Sequence, residues 1–214
     1  ILQPRFCYNK RAQETLAAFV NGGRFPHALL LEGPEGSGRR TFAREIAAAL
    51  FCRGKHKPCG SCSQCRKVLE RNHPDVEYYG GDGSRRSFHI DTIRQLRQNA
   101  WLLPGEAPCR VCVLCGAENM TDQAQNALLK ILEEPPEHTV FILTGENRAM
   151  LLPTILSRVQ TIRLEPLTPA EILPVLRERC PDQPGEKLEW AAETADTIGQ
   201  ALALLADESL QKHA

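Results

Sequence analysis

Leu29-Leu30-Leu31-Glu32-Gly33-Pro34-Glu35-Gly36-Ser37-Gly38-Arg39-Arg40-Thr41 joins an apolar run to a glycine-rich turn. The next residues, Phe42-Ala43-Arg44-Glu45-Ile46-Ala47-Ala48-Ala49-Leu50, carry helical spacing. Together they read as strand, phosphate loop and helix. A complete phosphate loop needs two glycines five apart, then Lys, then Ser or Thr. The backbone N–H groups cradle phosphate, the Lys reaches the outer phosphates, and the hydroxyl holds Mg²⁺. Gly33 and Gly38 meet the first requirement, but Arg39 stands where the Lys belongs and Arg40 where the hydroxyl belongs.

Outward from this loop, apolar runs and helical patterns alternate. A helix is expected over Arg11 to Val20, stopped by Gly22 and Gly23, and another from Thr41 to near Cys52. Further helices are expected over Ile90 to Leu102, Gln123 to Glu134 and Leu151 to Arg158. Short apolar runs at Arg110 to Cys115 and Val140 to Thr144 read as buried strands, His73 to Tyr79 as an extended segment opened by a proline, and Val159 to Leu164 as the run at which the helix ending at Arg158 is aimed. Gly80 to Ser87 reads as a mobile polar loop. The expectation is an α/β parallel sheet with ligands at the carboxyl ends of its strands. At Leu167-Thr168-Pro169-Ala170-Glu171 the pattern changes to a capping box, and everything beyond is helical. Ile172 to Cys180, Glu186 to Ala195 and Gly199 to Ala206 make a three-helix attachment. The domains are therefore residues 1–166, nucleotide-binding-like, and 167–214, a small helical lid.

At 214 residues with 42% hydrophobic content the chain can bury a core. Lys+Arg and Asp+Glu are both 26, which excludes a global basic field for nucleic acid or membrane. No run reaches membrane-span length, and Ile1-Leu2-Gln3-Pro4-Arg5 has no signal-peptide shape, so a soluble cytoplasmic protein is expected. The chain starts without Met, as a trimmed piece of a longer one would.

Four of the nine cysteines, Cys52, Cys59, Cys62 and Cys65, fall within fourteen residues, the last three as Cys-x2-Cys-x2-Cys. That spacing lets thiolates converge tetrahedrally on Zn²⁺, whereas disulfides between such neighbours would be strained. Gly60 eases the knuckle turn, and Lys55, His56 and Lys57 favour thiolate. Four thiolates leave no open position for water or substrate, so the predicted zinc role is structural. Cys109, Cys112 and Cys115 repeat the spacing, but on a strand this puts Cys112 and Cys115 on opposite faces, so packing thiols are expected. Arg85-Arg86, Arg94 and Arg97 fit DNA contacts and a solvated face equally well.

Three runs resemble the clamp-loader branch of the AAA+ ATPases, the bacterial DNA polymerase III subunits gamma/tau and delta-prime. They are Pro26 to Gly36 leading into the loop, the cysteine insertion behind it, and Met120-Thr121-Asp122-Gln123-Ala124-Gln125-Asn126-Ala127-Leu128-Leu129-Lys130-Ile131-Leu132-Glu133-Glu134-Pro135-Pro136. Ser157-Arg158 resembles the family's Ser-Arg-Cys motif, with Val159 in place of the Cys. The resemblance covers about Phe6 to Leu205. It implies an AAA+ fold, and for catalytic members an acidic pair after the third core strand to hold Mg²⁺ and activate water. Here those positions are Cys115 and Gly116. Glu118 lies further on, and by strand geometry a two-residue slip would move it about 7 Å away. Thr144 matches the phosphate sensor, and Gln200 replaces the lid's sensing Arg.

Among these branches, the joint loss is a delta-prime trait. The resemblance then implies a non-hydrolysing subunit, with Arg158, beside Ser157, given in trans as an arginine finger. Nucleotide binding at Gly33, Gly36, Gly38, Arg39, Arg40 and Thr41 is expected to be weak or absent. Implied partners are gamma/tau and delta subunits and, through the complex, the sliding clamp and primed DNA. The family's third helical collar domain is expected to be absent before Ala214. The alternative is a gamma/tau-like ATPase with a divergent loop.

Overall fold

The structure, a computed structural model, describes residues 9–23, 25–80 and 88–206. In chain order it contains α1 (Lys10–Asn21), β1 (Ala28–Glu32), α2 (Arg39–Phe51), α3 (Ser63–Leu69), β2 (Val76–Tyr79), α4 (Ile90–Ala100) and β3 (Arg110–Cys115). Then follow α5 (Asp122–Glu133), β4 (Thr139–Gly145), α6 (Pro153–Leu156), β5 (Gln160–Arg163), α7 (Pro169–Arg179), α8 (Gly185–Thr194) and α9 (Ile198–Ala206).

Every strand pairing is parallel, in the order β2-β3-β4-β1-β5. Parallel strands covered by helices on both faces bury all their residues, which is why β3 and β4 read as unbroken apolar runs rather than alternating ones. The register sets Glu32 beside Gly145 and Cys115 beside Thr144, so the carboxyl ends of β1, β3 and β4 finish side by side. Leu30, Leu114, Phe141 and Leu143 of these strands share one core with Ile93 and Leu96 of α4 and Leu128 of α5.

The helix expected over Leu151 to Arg158 is shorter. A 3₁₀ turn covers Arg148–Met150, Leu152 is extended, and α6 begins with Pro153 in its first turn and ends at Leu156. Most of the Gly80 to Ser87 loop, with Arg85-Arg86, lies outside the described residues. Arg94 pairs with Asp91 on the exposed face of α4.

The chain divides into two compact units. The first carries the sheet with α1 to α6; the second joins Gly33–Gly38 to the segment from Leu164 onward. The sequence assigned the whole phosphate loop to the sheet domain, with a boundary near Pro166. Instead the division falls after Arg163, and the glycine segment groups with the helices. Its reason is local packing. The Gly199 N–H donates to Gly36 O (3.0 Å), the Thr197 hydroxyl donates to Glu35 O (3.0 Å), and a Cβ at Gly33 would meet Leu164 O at 2.8 Å. Within this unit α7 is closed by its capping box, Glu171 Oε2 accepting from both the N–H (2.9 Å) and the hydroxyl (2.8 Å) of Thr168.

A Cβ built on Gly199 would lie 2.4 Å from Gly36 Cα, which is backbone and cannot swing aside. Ala normally stabilises a helix relative to Gly by about 1 kcal/mol. At this contact the sign reverses, and Gly199→Ala is expected to lower stability by about 1–3 kcal/mol, the usual cost of overpacking. Urea melts followed by circular dichroism check this, and a stabilised variant would refute the contact.

Candidate functional site

Three groups of residues carry chemistry. The first is the cysteine module between α2 and α3. The ligand atoms of Cys52, Cys59, Cys62 and Cys65 all lie within 4.8 Å of one another, and Cys59 and Cys65 Sγ are 4.0 Å apart. A tetrahedral ion with Zn–S bonds of about 2.3 Å sets its sulfurs about 3.8 Å apart, so the four thiols fit such a metal with slight contraction. Backbone N–H groups already serve the sulfurs as they would thiolates. Gly54 and Cys59 donate to Cys52 Sγ (3.3 Å each), Cys62 to Cys59 Sγ (3.4 Å), and Cys65 to Cys62 Sγ (3.5 Å). The Cys62 N–H and the Ser61 groups hold the Cys59 thiol down to about 5. Burial pushes the Cys62 thiol up, but donors from Cys65 and Arg53 outweigh it and leave it lowered, whereas at Cys65 burial prevails and the thiol is raised. Cys109 and Cys112 join no metal-ligating group among the described residues, and burial raises their thiols to about 11 and about 12, as suits packing residues.

The second group is the set of residues that the sequence assigned to a nucleotide site, some in the first unit and some in the second. Gly36 and Gly38 adopt positive φ (79° and 83°), which glycine permits at little cost. Arg39 and Arg40 are the first two residues of α2, and Thr41 Oγ1 accepts a long contact from Arg44 (3.5 Å). Arg39 Nη2 is bonded to Glu146 Oε1 at 2.9 Å. The sensor-position Thr144 uses its hydroxyl to accept the Gly116 N–H (3.1 Å), tying the ends of β3 and β4 together. Strand extrapolation fails for Glu118. After Cys115 the chain turns at Gly116 (φ 75°) into a 3₁₀ turn over Ala117–Asn119, and Glu118 Oε2 comes back to 3.1 Å from where a Cβ of Gly145 would be. That oxygen is buried and has no hydrogen-bond partner among the described residues. Gln200, at the lid position, accepts the Asp196 N–H (3.2 Å).

The third group is Ser157-Arg158 behind α6. Buried Gln125 of α5 accepts the Leu152 N–H (2.8 Å) and donates to Met150 O (3.1 Å), fixing the entry to α6. Arg158 then donates to Thr154 O (2.7 Å) and Ser157 Oγ (3.1 Å) through Nη1, and its Nη2 meets Glu133 Oε1 at 2.8 Å. Its side chain stays one-third exposed. The guanidinium is thus held between α6, through Thr154 and Ser157, and the last residue of α5, Glu133.

A family model described as DNA polymerase III, delta subunit, matches residues 8–168. The chain belongs to that family. It is similar to the DNA polymerase III subunit delta' of Bacillus subtilis, 35% identical over 164 residues that span 76% of this chain and 49% of that protein. The delta' subunit of Yersinia pestis is 38% identical over 138 residues (64% and 41%). The gamma/tau subunit of Mycobacterium tuberculosis (strain H37Rv) is 33% identical over 167 residues (77% and 29%). The chain therefore spans half or less of the length of these curated relatives. Among solved structures, the Thermotoga maritima RuvB Holliday junction branch migration motor superposes with a TM-score of 0.62 at 17% identity, covering 94% of this chain and 62% of that one. A gamma subunit-related protein of the same organism gives 0.51 at 24% identity (86% and 58%). At such identities these structures bear on the fold alone, which is that of AAA+ domains.

In this delta-family chain, three carboxylates organise the sites, and the sequence named the partner of none of them. Glu146 and Glu133 hold the two arginines just described, and neither has a short-range signal, because each partner comes from a distant element. The third is Asp75, 1% exposed, which accepts the N–H groups of Gly105 (2.7 Å), Glu106 (2.8 Å) and Ala107 (2.8 Å). Its own N–H donates to His73 Nδ1 (3.1 Å), and His73 pairs through Nε2 with Gln64 of α3 and packs on Phe51 at the end of α2. Asp75 thereby supports, through His73, both helices that flank the cysteine module. Burial raises its carboxyl pKa, but the three N–H donors and His73 outweigh that and leave it lowered. A depressed folded-state pKa means that the stabilisation is complete above the unfolded value of about 3.9 and is lost as pH falls through the folded value. Asp75→Asn is expected to cost about 1.5–3 kcal/mol at pH 7, as for hydrogen bonds to a charged group. The difference from the native chain should shrink below about pH 4, and urea melts across that range measure it.

Proposed function

We propose that this chain is a non-hydrolysing subunit of the DNA polymerase III clamp loader, completing the ATP-driven ring that loads the sliding clamp onto primed DNA. In that role Arg158, with Ser157 beside it, is supplied to the nucleotide of a neighbouring gamma/tau ATPase subunit, and delta is a further partner. The observation that carries this reading is a contrast within one molecule. Arg39, Arg40, Cys115 and Gly116 stand where phosphoryl transfer needs Lys, a Mg²⁺-binding hydroxyl and two carboxylates, whereas Arg158 is held ordered and part-exposed. Arginine placed at a γ-phosphate stabilises the charge that develops in the transition state. Glu133 would have to release Nη2 for Arg158 to reach a phosphate, while the Thr154 carbonyl can go on orienting the other arm.

The cysteine module suits structural Zn²⁺ held by Cys52, Cys59, Cys62 and Cys65, which when bound would fix the loop between α2 and α3. Protein purified without added metal should carry one zinc per chain, with Cys62→Ser losing most of it. Zinc content independent of Cys62 would remove this assignment. A cytoplasmic location remains the expectation. Among the described residues no helix is long and apolar enough to cross a membrane.

The second reading, a gamma/tau-like ATPase with a divergent loop, draws on Glu118, whose carboxylate returns to the end of β4. ATP turnover decides between the two. The pure chain is expected to show none, and in a reconstituted loader Arg158→Ala should lower clamp- and DNA-stimulated turnover while leaving assembly intact. A finger is worth roughly 10³ to 10⁵ at one site, diluted here by the other sites of the ring. Mg²⁺-dependent turnover by the pure chain, lost with Glu118→Gln, would install the second reading.

A further inference from the structure

We propose that Glu146 is an internal stand-in for a nucleotide phosphate. Its carboxylate occupies the guanidinium of Arg39, and neutralising it would open the start of α2 to a nucleoside di- or triphosphate. This rests on the non-hydrolysing reading and explains how the start of α2 is kept free of nucleotide.

Arg39 is the first residue of α2, a helix of thirteen residues, and carries a full positive charge where the partial positive charge of the helix dipole is also greatest. Guanidinium at such a place ordinarily recruits a phosphate, which it grips with two parallel N–H bonds. Here an anion is built into the chain instead. Glu146 directly follows β4, and its Oε1 sits 2.9 Å from Arg39 Nη2. The Arg39 side chain is only 14% exposed, so solvent screens its charge poorly.

The fit is incomplete, and that points to a ligand. Nη1 of Arg39 is buried and has no hydrogen-bond partner among the described residues. A buried donor left unbonded costs about 1–3 kcal/mol, more when it is charged. The carboxylate satisfies one arm of the fork; an oxyanion with several oxygens would satisfy both. Glu146 is itself 47% exposed, so its side chain can leave for water at little cost. Competition between Glu146 and phosphate is then decided by the carboxylate's charge, which is why removing that charge should be enough.

The test is fluorescence anisotropy of mant-ADP in Mg²⁺-free buffer with the full chain, comparing native protein, Glu146→Gln and Glu146→Gln/Arg39→Ala, with melting curves to verify folding. Glu146→Gln is expected to tighten binding by about tenfold or more, and the double variant to return to the native value. Glu146→Ala serves as a second neutralising variant and should match Glu146→Gln. Unchanged affinity in the folded neutral variants, or a gain that survives Arg39→Ala, would overturn the proposal. ATP turnover by the native chain would remove the non-hydrolysing reading whatever the anisotropy shows, so the two fail separately.

Discussion

Parallel backbone pairing of β1 with β4 and of β4 with β3 is the constraint on which the chemistry of this molecule depends. Because Glu32 aligns with Gly145 and Cys115 with Thr144, whatever follows each strand emerges at one edge of the sheet. In a parallel sheet the pairing must be maintained by residues far apart in sequence, and the strands are buried on both faces to do it. The strand ends carry thiol, hydroxyl and glycine, and two polar contacts link the residues beside them. Thr144 takes the Gly116 amide and Glu146 takes Arg39. Arg39 Nη1 and Glu118 Oε2 are the exceptions, buried with no hydrogen-bond partner among the described residues.

A second constraint comes from α5. Its amino end is capped by the Thr121 hydroxyl accepting the Ala124 N–H (3.2 Å), Gln125 reaches to the turn before α6, and Glu133 at its far end meets Arg158. One helix therefore both contributes Leu128 and Ile131 to the core and dictates where the arginine stands. A long and specific sequence run is understandable on these grounds, since the apolar face answers to the sheet and the polar residues answer to the segment behind it.

The cysteine module obeys a similar division of labour. Cys52 and Cys65 are buried against α2 and α3, whereas Cys59 and Cys62 lie on the more open loop between them. The buried pair ties the loop to the core and the N–H donors bias the open pair toward thiolate, so a metal would complete a nearly formed arrangement. Support comes from beneath, through Phe51, His73 and Asp75, rather than from within the loop.

The sequence by itself determined the elements whose cause is local. The apolar runs marked the buried strands β3 and β4, the capping box marked the start of α7, and the thiol spacing marked the four-cysteine cluster, because periodicity, caps and ligand spacing act within a few residues. The residue identities at Arg39, Arg40, Cys115 and Gly116 are likewise read directly from the chain. Tertiary structure alone decided what those residues do. Arg39 and Glu146 are separated by 107 positions, Glu35 and Thr197 by 162, and Asp75 by 30 or more from the amides it binds. Glu118 returns to the strand ends only because Gly116 breaks the extended backbone. Contacts of this kind follow from how parallel strands and covering helices assemble, and a chain's local preferences carry no record of which distant charge or backbone will be its neighbour.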